Sequence, residues 1–165
     1  MKTKKVAFIG VCIALAMVLS FVESQIPFFA TNTGFKAGFP NLVLMVLLYK
    51  CGWKETVIVS VIRVLLMFAC GFSNVTGLVL SLAGAALSLL GIILLKKTNW
   101  FSCIAVSIVG GVLHNVGQII AVCLWYQTPG LALELPLLIV SGTAAGAAIG
   151  LIAGLLVKRL EKVKF

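Results

Sequence analysis

Residues 101–125 read FSCIAVSIVGGVLHNVGQIIAVCLW, and this stretch decides the fold. It contains no Asp, Glu, Lys or Arg. It is longer than the roughly 20 apolar residues that a membrane-spanning helix requires. Its polar residues are periodic. Gly110, His114 and Gln118 fall on one helical stripe, and Ser107, Gly111 and Asn115 on the adjacent one. A segment of this kind is a helix with lipid on much of its surface and one polar face with room beside it.

The same pattern extends in both directions. Further apolar runs cover about Val6–Val22, Ala37–Tyr49, Thr56–Phe72, Val75–Leu95 and Leu135–Val157. The second is short, and Pro40 stands near its start, a tolerated first-turn position. Of the 165 residues, 62% are hydrophobic and only 10% charged. A soluble domain carries about 25% charged residues. A chain this small cannot bury such an apolar surplus, so the excess faces lipid. The reading is an all-α integral membrane protein: a single domain over residues 1–165, built as a bundle of six transmembrane helices. The run after Lys2, Lys4 and Lys5 has the look of a signal peptide. No small-x-small cleavage site follows it closely, so it is expected to stay as the first span.

Charge gives direction. The net charge is +9, with 13 Lys and Arg against four Glu and no Asp. With the N-terminus inside, 11 of the 13 basic residues fall on inner segments, leaving Lys36 outside and Arg63 within a span. Both termini are therefore expected in the cytoplasm of a multi-pass cell-membrane protein. Membrane topology accounts for the basic excess, so no nucleic-acid partner is expected.

Polar residues inside hydrocarbon are costly and face a cavity or a partner. Helix direction places Glu23, Lys36, Asn41, His114, Asn115 and Gln118 in the outer half, although they come from three separated segments. These six are the candidate ligand-binding residues for a small amphipathic molecule. The segment Glu23–Lys36 contains Gly, Thr, Asn and Pro and is a candidate lid. Arg63, counted about seven residues into its run, is placed in the inner half with a structural or coupling role.

Small residues form two seams. Gly142, Gly146, Gly150 and Gly154 recur four apart, the spacing that lets helix backbones approach closely. Cys12, Ala16 and Ser20 make a second row beside Gly10 and Ala14, and are the candidate partner-docking row. Asn74-Val75-Thr76 matches a glycosylation sequon but sits at a helix start, where Asn is a cap. The five cysteines are scattered and read as small hydrophobes, not as a metal or disulfide set.

Catalytic patterns are missing from the sequence. There is no G-x-x-x-x-G-K-[ST], no aspartate-rich magnesium motif and no nucleophile triad. The lone His has no second ligand at metal spacing. The chain is expected to bind, not to catalyse, and to need no cofactor.

Several motifs carry a resemblance. Gly34-Phe35-Lys36-Ala37-Gly38-Phe39-Pro40-Asn41 resembles the Gly-x-Lys-x-Gly-x-x-Asn entry to the second helix in small membrane proteins of the heptaprenyl diphosphate synthase component I family. Arg63-Val64-Leu65-Leu66, Ser81-Leu82-Ala83-Gly84, Ser107-Ile108-Val109-Gly110-Gly111, His114-Asn115-Val116-Gly117-Gln118 and Leu135-Pro136 match in the same order. That family is similar to the substrate-capture (S) components of energy-coupling factor transporters. The resemblance implies a six-helix bundle that takes a small molecule from outside. It also implies a transmembrane scaffold subunit and two cytoplasmic ATPases as partners, docked through a small-residue row on helix 1. Two alternatives stand beside this reading: a non-catalytic membrane accessory in isoprenoid or quinone metabolism, and an anchor of an extracytoplasmic redox assembly.

Overall fold

A computed structural model describes residues 2–25 and 38–160. The described residues form six α-helices and one 3-10 helix: α1 Lys2–Ser24, α2 Asn41–Lys50, α3 Trp53–Ala69, α4 Val75–Thr98, α5 Cys103–Tyr126 and α6 Leu135–Arg159, with the 3-10 helix at Pro129–Glu134. All six expected helices form. Their ends are set locally. The Asn74 side chain accepts from the Gly77 amide at 2.7 Å to cap α4, and Ser102 accepts from the Ala105 amide to cap α5. Asn99 and Gln127 end α4 and α5 in the left-handed region.

Spanning capacity is narrower than six. Among the described residues four helices, α1, α4, α5 and α6, are long and apolar enough to cross a membrane. At about 1.5 Å per residue α2 is about 15 Å long and α3 about 26 Å, both short of a hydrocarbon core of about 30 Å. Of the six expected spans, four have that length, and α2 and α3 are shorter. The molecule is a multi-pass membrane protein whose second helix is an interior element.

The reason α2 is short yet apolar on every face lies in its position. It contacts α1, α3, α5 and α6. Val43, Leu44, Met45, Val46, Leu47 and Leu48 are all buried. One side of α2 packs with Leu89, Ile92, Val106, Ile149 and Ala153 from α4, α5 and α6. The other side packs with Cys12, Ala16 and Val59 from α1 and α3. A helix surrounded in this way has no polar face to show. The outer surface of the bundle carries exposed Leu90, Leu94, Leu124, Leu137, Val140 and Leu155, as expected against lipid.

Among the described residues the basic residues other than Arg63 collect at one end. The starts of α1, α3 and α5 and the ends of α2, α4 and α6 lie there. Lys5 pairs with Glu55, and Lys50 Nζ donates to the Leu160 carbonyl at 2.6 Å. The opposite end holds Glu23, Gly38 and Asn41 near the end of α1 and the start of α2.

The glycine row on α6 is an internal seam. A Cβ built on Gly142 would lie 3.0 Å from the Gly111 carbonyl oxygen. One on Gly146 would lie 2.7 Å from Ile108 Cα, and one on Gly150 2.7 Å from Ile104 Cα. The obstacles are backbone atoms of α5, so the two helices sit at a separation that only glycine permits.

Candidate functional site

The end of the bundle away from the basic residues holds a cluster assembled from five segments. Near the end of α1, Glu23 is 4% exposed. Its Oε1 accepts from the backbone amides of Gly38 and Phe39, which fastens α1 to the turn that opens α2. That turn depends on Gly38, whose φ is +85°. A side chain there would also meet Asn41 Nδ2 at 2.8 Å and His114 at 3.8 Å. The Asn41 amide donates to the Gly38 carbonyl at 2.8 Å, closing the turn. Glu23, Gly38, Asn41 and His114 are thereby brought together from three parts of the chain.

Arg63 completes the cluster. Only 7% exposed, it donates from Nη1 to the Ser20 hydroxyl at 2.9 Å, and Ser20 in turn donates to the Ala16 carbonyl at 2.8 Å. Among the described residues Arg63 Nε has no hydrogen-bond partner. Glu23 supplies an opposing charge to the guanidinium. Ser20, Glu23, Gly38, Arg63, Ser81 and His114 line one small cavity of about 20 Å³. That is room for about one water molecule. A larger ligand therefore requires this end of the bundle to open.

His114 is 4% exposed and Gln118 fully buried. Their side-chain nitrogens are 3.1 Å apart. With the Gln118 amide as donor, His114 Nε2 accepts and the imidazole proton resides on Nδ1. The pair lies against Gly84 of α4. A Cβ built there would be 2.9 Å from the His114 carbonyl oxygen and 3.0 Å from Gln118 Cγ. Small residues at this crossing let α5 press its polar stripe into the bundle.

The structure gathers only part of what the sequence indicates. Glu23 and His114 line the cavity, Asn41 stands beside it, and Gln118 lies behind His114. Asn115 faces elsewhere. Its Nδ2 donates to the Leu138 carbonyl at 2.7 Å and lies 3.5 Å from the Ser141 hydroxyl, tying α5 to α6. One residue along a helix turns about 100°, which is enough to move Asn115 to the α6 side. Residues 26–36 of the candidate lid, Lys36 among them, lie outside the described residues.

Two further expectations change. Arg63 was expected in the inner half. It is ten residues past Trp53 and six before Ala69, so it lies nearer the end that holds Glu23. The span from Thr56 gave no means of fixing how α3 slides along α1. Cys12, Ala16 and Ser20 were expected to face a partner. They are 4%, 0% and 5% exposed, covered by α2 and α3 of this chain. The neighbouring stripe with Gly10 and Ala14 is the one left open, and a Cβ on Gly10 meets nothing within 4 Å. Ser73 and Met67 of the cavity wall carry no signal in their local sequence, and Ser81 stands out only as the first residue of the Ser81-Leu82-Ala83-Gly84 motif, with no site role attached to it.

Chemically, the cluster offers a cationic fork, a carboxylate, an imidazole and hydroxyls inside a low-dielectric bundle. Arg63 suits a carboxylate or phosphate group, and Glu23 suits an amine. Among the described residues no three His, Cys, Asp or Glu side chains form a group that could hold a metal ion.

Comparison with known proteins is consistent with the motif content of the chain. No curated protein and no solved structure matches it. The family described as heptaprenyl diphosphate synthase component I matches residues 12–156, which include α2 to α5 and most of α1 and α6. This match spans the greater part of the sequence, and the chain belongs to the heptaprenyl diphosphate synthase component I family.

Proposed function

We propose that this protein is a substrate-capture subunit of an energy-coupling factor importer. It binds a small polar or amphipathic molecule at the Glu23–Arg63–His114 cluster and performs no catalysis. The observation that carries this reading is the cluster itself. A guanidinium and a carboxylate, each less than 10% exposed, face one cavity inside a membrane bundle. Ionisable groups in such a place are costly and mark substrate paths. Glu23 also fastens the turn that opens α2, and Arg63 also bonds Ser20; a ligand that matches both charges is the reading that their shared cavity supports.

In this reading the basic end faces the cytoplasm of a bacterial cell, and the polar cluster opens outward. A reporter fused after Phe165 is then active only when the reporter is of the cytoplasmic kind. Activity of an exported reporter at that position would reverse the orientation and turn the site inward.

The partners in this reading are a transmembrane scaffold subunit and two cytoplasmic ATPases. Affinity purification of the tagged chain from its own cells is expected to bring down those three. The family's description favours a second reading, a membrane accessory to prenyl diphosphate synthesis. Recovery of a soluble prenyl synthase in place of the ATPases would decide for it.

A further inference from the structure

The bundle has a second recess, remote from the polar cluster. Between α3 and α4, at the basic end, runs an apolar groove of about 480 Å³ with Trp53, Val57, Leu90, Ile93, Leu94 and Lys97 in its wall. It shares Trp53, Ile93 and Lys97 with an adjoining recess of about 240 Å³, whose wall adds Lys96 and Asn99. The two form one path. Its apolar part follows α4 from Ala86 to Lys97, eleven residues or about 16 Å. Its other part ends among ammonium groups.

Among the described residues none of these ammonium groups forms an ion pair with a carboxylate. Glu55 is paired with Lys5. Lys54 and Lys96 lie instead over aromatic rings, 5.7 Å from the Trp53 centroid and 5.4 Å from that of Tyr49. Among the described residues Lys54, Lys96 and Lys97 make no salt bridge. Trp53, half-exposed beside them, is the residue type that settles at a membrane interface. By contrast, among the described residues the apolar recess at the other end, walled by Met17, Val18, Phe21, Met67 and Phe72, has no charged residue in its wall.

We infer that the α3–α4 groove is a binding site for one anionic phospholipid of the leaflet at the basic end. An acyl chain lies along the α4 stripe, and the phosphate sits between Lys96 and Lys97. Charge selects the headgroup, because basic pockets between membrane helices hold anionic lipids. Groove shape selects a chain. The site is independent of the polar cluster, and either can fail without the other.

Native mass spectrometry of the purified protein in micelles with equal phosphatidylglycerol and phosphatidylcholine tests this. Phosphatidylglycerol is expected to be retained at least about fivefold over phosphatidylcholine. The Lys96→Gln/Lys97→Gln variant loses that preference, whereas Lys158→Gln/Arg159→Gln at the end of α6 keeps it. Leu90→Trp, at a surface position, lowers retention of both lipids. High salt applied to the wild-type protein removes the preference and needs no variant to fold. Equal retention of the two lipids by the wild-type protein, or equal loss in both charge variants, overturns the inference. So does displacement of phosphatidylglycerol by an equimolar long-chain prenyl diphosphate, which would give the groove to an isoprenoid.

Discussion

Glu23→Ala is expected to lower unfolding stability by about 3–5 kcal/mol, the usual cost of leaving a buried charge without its opposite. Two losses combine. The Arg63 guanidinium remains buried without the carboxylate, and the Gly38 and Phe39 amides lose their shared acceptor. Glu23→Gln keeps an acceptor for the amides and loses only the charge, so its loss is smaller. The double variant Glu23→Ala/Arg63→Met removes both charges and is expected to recover part of the stability. A double-mutant cycle by denaturant unfolding in detergent measures this coupling. If the single and double changes add within error, the two residues do not act on each other.

Gly146→Leu is expected to have the other large effect. The new Cβ would stand 2.7 Å from Ile108 Cα and 2.8 Å from the Ser107 carbonyl oxygen. Backbone cannot swing aside as a flexible side chain does, so α5 and α6 must separate. Overpacking costs about 1–3 kcal/mol and here falls at or above the top of that range. Separation also breaks the bond from Asn115 to Leu138 that joins the same helices. Leu at Gly10, where a Cβ meets nothing within 4 Å, serves as the control and leaves stability within about 0.5 kcal/mol. Equal thermal midpoints for the two variants would remove the seam from the account.

These cases show what the sequence can and cannot convey. The apolar runs located all six helices, because a long apolar segment has few other folded outcomes. They overstated α2. Its residues 42–48 are apolar because neighbours surround them, and a one-dimensional pattern does not separate that cause from contact with lipid. The small-residue row at Cys12, Ala16 and Ser20 was visible from spacing, but spacing carries no information on which face meets the chain's own helices. His114 and Asn115 illustrate the same limit at one-residue scale. Both are polar and adjacent, yet one lines the cavity and the other binds α6. Arg63 was misplaced because axial sliding of α3 along α1 is set by packing, here recorded in the bond from Arg63 to Ser20.

The central claim is that the polar cluster holds a small molecule. Mass spectrometry of ligand released from the gently purified protein, comparing the wild type with Arg63→Gln, tests it most directly. Arg63→Gln is chosen because it keeps a donor toward Ser20 while removing the fixed charge. The account predicts a low-mass species carried by the wild-type protein and reduced at least about tenfold in the folded variant, about 1.4 kcal/mol in binding. Equal amounts of that species in both proteins would contradict it.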